Sequence, residues 1–208
     1  MKAALFDYGA GNLHSLGKAL EAGGAEVRIT RDWAEALSMD ALVLPGVGSF
    51  GAAVEALQGE QLRIRDTLES GLPALGICLG MQLFFDTSEE GGGQGIGLIP
   101  GKVRTLRTRI IPQMGWNEVS LSADPLFDGV DGVVAYYANS YVCQPQDPGV
   151  VIGTTDYQGD FFPAAVRKGR SWGVQFHPEK SSAPGLRIIR NFLDQVRTGL
   201  PSTKEEFV

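Results

Sequence analysis

Four short apolar runs, Ala3 to Phe6, Val27 to Thr30, Ala41 to Leu44 and Leu72 to Ile77, punctuate the first half of the chain. Each is followed by a turn and then by a stretch that reads as helix. Leu13, Leu16 and Leu20 follow the first run, Trp33 to Leu37 the second, and Val54, Leu57, Leu62 and Leu68 the third. Met81 to Phe85 opens a helix after the fourth. Strands alternating with helices imply βαβ units, a parallel sheet and helices on both of its faces. The second half changes character near residue 91. Ile96 to Val103, Val133 to Tyr137, Val150 to Thr154 and Ala164 to Phe176 read as strands, and Arg167-Lys168-Gly169-Arg170 reads as a hairpin turn. Leu186, Ile189, Phe192, Leu193 and Val196 form the apolar stripe of a closing helix. The expected fold is α/β, with a central mixed, mostly parallel sheet. At 208 residues one core suffices. Residues 1–200 are expected to form a single domain and 201–208 a tail.

Composition narrows the function. Lys and Arg number 18 against 24 Asp and Glu, a net charge of −6, which disfavours nucleic acid and anionic membranes as general partners. Two cysteines and two histidines exclude a disulfide scaffold and a multi-histidine metal centre, and make a reducing cytoplasm the expected compartment. The N-terminus reaches Asp7 after a short apolar run, too soon for a signal h-region, and no run approaches the ~20 apolar residues of a membrane span.

Three motifs carry chemistry. Gly76-Ile77-Cys78-Leu79-Gly80 stands where a buried strand passes into a helix, the pattern of a nucleophile elbow with Cys in place of Ser. In such a turn, side chains two positions either side of the nucleophile would collide with neighbouring backbone, hence the glycines. A helix N-terminus and a nearby histidine both raise the thiolate fraction of a cysteine. His177-Pro178-Glu179 closes the strand Ser171 to Phe176; the i, i+2 spacing lets a carboxylate orient the imidazole while its other nitrogen faces a thiol. Pro45-Gly46-Val47-Gly48-Ser49-Phe50-Gly51 follows another buried strand, and its bare amides suit an oxyanion. Each motif has a plainer reading: a small buried cysteine, a solvated loop histidine, an ordinary strand-to-helix turn.

Together, Pro45-Gly46-Val47-Gly48, Gly76 to Gln82 and His177-Pro178-Glu179 resemble the class I, triad-type glutamine amidotransferases, which have a flavodoxin-like fold. Asp7-Tyr8-Gly9-Ala10-Gly11-Asn12-Leu13, Gln113-Met114-Gly115-Trp116-Asn117 and His177-Pro178-Glu179-Lys180-Ser181 are similar to the branch that serves imidazole glycerol phosphate synthase as its glutaminase subunit. The likeness runs from about Lys2 to Val196. It implies Cys78 as nucleophile, His177 as acid and base, and Glu179 as its orienting partner. It further implies oxyanion contacts from Leu79 and from Gly46, Val47 and Gly48, and glutamine held by Gln82 and the backbone of Asn139, Ser140 and Tyr141. Asn139 stands where relatives usually carry histidine; if that segment contributes main-chain groups, the exchange should spare activity. Asn12, Trp116 and Lys180 would face a TIM-barrel cyclase subunit in a heterodimer. The substrate would be L-glutamine, with no cofactor and no metal.

Other residues have blander expectations. Cys143 reads as a buried small hydrophobe, His14 as a polar-face or interface residue, and Glu89-Glu90-Gly91-Gly92-Gly93 as a mobile loop. Trp116 could equally fill a core and Lys180 be a solvated charge. Two further functions stay open: an amidotransferase feeding a purine or pyridoxal phosphate synthase, and a non-catalytic regulator on the same fold.

Overall fold

The computed structural model describes residues 1–199 apart from Ala10 and Asn12; the expected tail lies outside the described residues. In chain order the strands and helices of the first half are β1 (Lys2–Phe6), α1 (His14–Ala22), β2 (Glu26–Thr30), α2 (Trp33–Ala36), β3 (Ala41–Leu44), α3 (Phe50–Ala56), α4 (Gln61–Glu69), β4 (Ala74–Ile77) and α5 (Leu79–Gln82). The second half contributes β5 (Thr87–Ser88), β6 (Gly101–Thr105), β7 (Gln113–Leu121), β8 (Val133–Asn139), β9 (Tyr141–Pro145), β10 (Val151–Tyr157), β11 (Asp160–Lys168), β12 (Ser171–Val174) and α6 (Ser182–Thr198).

The large sheet has the order β2-β1-β3-β4-β12-β11-β10-β7-β8. Neighbours from β2 to β12 are parallel, and those from β12 to β8 antiparallel, so the sheet changes type at β12 as the chain changes composition. A smaller sheet, β5-β6-β9, packs beside it. Alternation sorts the parallel strands between two cores. Ala3, Leu5, Val43, Leu75 and Ile77 face Leu16 and Leu20 of α1 and Ile189, Phe192 and Leu193 of α6. Ala4, Phe6, Leu42 and Leu44 face the other layer, with Trp33, Phe50, Ala53, Ile64 and Leu68 from α2, α3 and α4.

Local differences from the sequence reading have physical causes. The stretch from Val54 to Leu68 is two helices, because Gln58 and Gly59 adopt φ of 54° and 82° and break the ladder. Ile96, Leu98 and Ile99 are buried but irregular, and the strand begins only at Gly101. Strands β7 and β9 were hidden by mixed polarity: β7 exposes alternate residues, including Met114 and Trp116.

Candidate active site

Registers bring the three motifs together. In the parallel pairs Leu44 lies opposite Gly76, and Ile77 opposite Val174. β3, β4 and β12 therefore end side by side, and Pro45, Cys78 and Gln175 leave the same edge of the sheet. That edge, outside the carboxyl ends of parallel strands, is where α/β sheets form ligand sites.

Cys78 occupies the elbow with φ 48° and ψ −105°, a strained backbone for a side chain to hold. Its amide N–H donates to the Val174 carbonyl at 2.7 Å, which pins the turn to β12. The glycines are a steric requirement. A Cβ on Gly76 would lie 2.6 Å from the Gly80 carbonyl oxygen, and one on Gly80 only 2.0 Å from that of Leu44. Cys78 is 8% exposed. The α5 ladder starts with Gln82 N–H donating to the Cys78 carbonyl at 3.0 Å, which leaves the first amides of the helix, Leu79 among them, outside it.

His177 is buried beyond the end of β12, its N–H donating to the Tyr136 carbonyl at 2.8 Å. Pro178, Glu179 and Lys180 form one tight helical turn, which folds Glu179 Oε1 to 2.9 Å from His177 Nδ1. Ser181 locks the turn, donating its hydroxyl to the His177 carbonyl at 2.7 Å and accepting from Tyr136 N–H at 2.9 Å. The Cys78 sulfur acts on the same imidazole and favours its charged form. Burial works against the imidazolium, but the hydrogen bonds and negative charges of Cys78 and Glu179 outweigh it, and the His177 pKa is pushed up to about 9. Gly46 fits against this pair: a Cβ there would stand 2.8 Å from Cys78 Cβ and 2.9 Å from His177 Cε1.

A pocket of about 180 Å³ opens beside the elbow, lined by Gly48, Leu79, Gln82, Glu90, Ala138, Asn139, Ser140 and Tyr141. Every residue expected to hold glutamine thus meets at one cavity. The Tyr141 carbonyl accepts from Gln82 Nε2 and from Asn139 Nδ2, both at 3.1 Å, so the Asn139 side chain supports the pocket wall. Val47 leans away, toward Gly11.

Three residues went unnoticed in the sequence. Glu90, placed in a mobile loop by its glycines, lines the pocket and accepts from Phe50 N–H at 2.9 Å. Gln175 is fully buried and donates to Cys78 Sγ at 3.4 Å; a lone polar residue in the apolar run Trp172 to Phe176 was the signal for it. Tyr136 stands edge-on to His177 at 6.5 Å and to Trp116 at 6.1 Å, with Lys180 Nζ 5.6 Å above its ring. Trp116 and Lys180 therefore adjoin the histidine from outside, and Trp116 is exposed rather than core. Asn12 lies outside the described residues, and His14 is an exposed residue of α1. Cys143 is buried, and burial together with the charge of Cys78 pushes its thiol up.

Among the described residues there is no group of three or more His, Cys, Asp or Glu that could hold a metal, and no helix is long and apolar enough to cross a membrane.

The family model for class-I glutamine amidotransferases matches residues 4–196. The chain is 47% identical over 198 residues to "Imidazole glycerol phosphate synthase subunit HisH" of Halobacterium salinarum, covering 90% of each chain. It is 46% identical to the protein of that name from Moorella thermoacetica, covering 93% of this chain and 95% of the other. Among solved structures, "PurLQS from Thermotoga maritima" superposes with a TM-score of 0.76 at 20% identity, covering 94% of this chain and 98% of that one, a likeness of fold. The matched model and these relatives span nearly the whole length, and the chain belongs to the class-I glutamine amidotransferase family.

Proposed function

We propose that the chain is the glutaminase subunit of an imidazole glycerol phosphate synthase. It hydrolyses glutamine to glutamate and ammonia through a thioester on Cys78. The ammonia passes to a TIM-barrel cyclase subunit that makes imidazole glycerol phosphate and AICAR in histidine biosynthesis. The observation that carries this reading is the buried group Cys78, His177, Glu179 beside a pocket walled by Leu79, Gln82 and residues 138–141. The relatives named for that synthase supply the pathway.

The chemistry follows from the groups in place. The Cys78 sulfur attacks the side-chain amide carbon of glutamine and a C–S bond forms. Negative charge develops on the amide oxygen, toward the Leu79 N–H and the Gly46 to Gly48 loop, where one well-placed donor is worth ~10²–10³ in rate. His177, held as imidazolium by the sulfur and Glu179, protonates the departing nitrogen as the C–N bond breaks. Neutral His177 then takes a proton from water, whose oxygen displaces the sulfur and releases glutamate. Glu90, the carboxylate of the pocket, suits the α-ammonium of the substrate.

One exposed face of the sheet is suited to meet the cyclase. Met114 pairs with Ala138, Trp116 with Tyr136 and Glu118 with Val134, so these side chains share one side of the antiparallel half-sheet, which Phe161 extends. Met114, Trp116, Val134 and Phe161 are 68, 53, 50 and 71% exposed. Exposed apolar side chains grouped on one face suit a protein interface, and Trp116 reaches His177 through Tyr136. Glutamine hydrolysis measured on the isolated chain, on its complex with the cyclase, and on the complex with an acceptor analogue tests the reading. Stimulation at each step supports it; equal turnover in all three contradicts the coupling.

A further inference from the structure

The side of the Cys78 sulfur not taken by His177 is met by a buried amide. Gln175 Nε2 donates to Sγ at 3.4 Å, and the side chain is 0% exposed. Its carbonyl Oε1 accepts from Gln82 Nε2 at 3.3 Å, and Gln82 Nε2 also donates to the Tyr141 main-chain carbonyl at 3.1 Å. The polarity of this chain is forced. A main-chain carbonyl can only accept, so Gln82 must present its NH₂ to it. That NH₂ requires the oxygen of Gln175, which leaves the Gln175 NH₂ for the sulfur. Both ends ride on one strand junction, because Gln175 N–H donates to the Ala164 carbonyl at 2.8 Å and Cys78 N–H to the Val174 carbonyl at 2.7 Å.

We propose that Gln175 is a positioning residue for the nucleophile: its N–H aims and stabilises the Cys78 thiolate, and its carbonyl ties that sulfur to the substrate pocket through Gln82. A neutral amide is suited to this. It strengthens its bond as the sulfur gains charge, yet cannot take up the proton that His177 must carry. Its alternative, a buried amide without partners, is costly, so the donor stays on the sulfur. The inference rests on Cys78 being the nucleophile.

The test uses the full chain as wild type, Gln175→Met, which keeps bulk but removes both bonds, and Gln175→Glu, which keeps shape and the acceptor for Gln82. The pH dependence of Cys78 alkylation by iodoacetamide is followed by mass spectrometry. Glutamine kcat and KM are measured in the cyclase complex, and Tm is recorded. The alkylation midpoint is expected to rise by about one pH unit in Gln175→Met, and further in Gln175→Glu, where a carboxylate faces the thiolate. In the cyclase complex kcat should fall about tenfold, with kcat changing more than KM. Wild-type midpoints in both variants overturn the proposal whatever their turnover, since a merely structural glutamine would leave the titration in place. A Cys78→Ala complex that still hydrolyses glutamine at the wild-type rate would overturn the nucleophile reading instead.

Discussion

Nδ1 of His177 and Oε1 of Glu179 are 2.9 Å apart, with the two side chains 6% and 9% exposed. This contact orients the ring toward Cys78, and with the sulfur it holds the imidazolium to about pH 9 against the pull of burial. The chain has only two histidines, so ring-proton NMR can follow this one. His177 should stay protonated through pH 8 and lose its proton only as pH rises through about 9. Cys78→Ala and Glu179→Gln each delete a group that raises the value, so each should move the midpoint down. A His177 midpoint near the ordinary 6.5 in the wild type would contradict the arrangement.

Two glycine-to-alanine changes, one in the elbow and one in α1, should have opposite outcomes. In Gly80→Ala the new Cβ would overlap the Leu44 carbonyl at 2.0 Å, and the chain should lose roughly 2–3 kcal/mol of stability. Gly17 lies inside α1, where a Cβ would meet only Leu5 Cδ2 at an ordinary 3.9 Å. Gly17→Ala should gain roughly 0.5–1 kcal/mol from helix propensity. Urea unfolding of both variants checks the pair of signs.

How much of this was legible beforehand depends on the kind of residue. Cys78, His177 and Glu179 could be read because an elbow and a proline turn are local patterns with local steric causes. The βαβ order was legible because apolar runs such as Ala41 to Leu44 are buried on both faces. Glu90 was not, because its place in the pocket comes from the β5 and β6 pairing and the packing of its loop on α3, which no local pattern announces. Strand β7 was obscured because Met114 and Trp116 point outward, so its alternation contradicts a rule written for monomers. The break at Gln58 was hidden because the single Gly59 was its only turn signal.

A buried ion pair ties the small sheet to the large one. Arg104 donates from Nη1 and Nη2 to Asp160 at 2.8 and 2.7 Å, and Arg107 N–H donates to the same carboxylate at 2.7 Å. Burial pushes the Asp160 carboxyl up, but these donors outweigh it and hold it below the usual range. Its contribution to stability is therefore present above the ordinary carboxylate value of 3.8 and lost as pH falls below it. Asp160→Asn leaves the Arg104 charge buried and should cost about 3–5 kcal/mol, read from chemical denaturation at neutral pH.

The exposed face around Trp116 should matter to assembly alone. Trp116→Ala removes an aromatic that is 53% exposed in the free chain, so Tm should barely change. Binding to the cyclase should weaken by about 2 kcal/mol, roughly thirtyfold in Kd, as for an interfacial tryptophan anchor. Calorimetric titration of the two subunits gives the answer, and an unchanged Kd would move the interface elsewhere.

The central claim is that Cys78 makes the ammonia and the partner uses it. The most direct measurement is synthase turnover of the complex carrying Cys78→Ala, once with glutamine and once with ammonium salt at high pH. The account predicts loss of the glutamine-dependent reaction with the ammonia-dependent one retained. Undiminished glutamine-dependent turnover in that variant would contradict it.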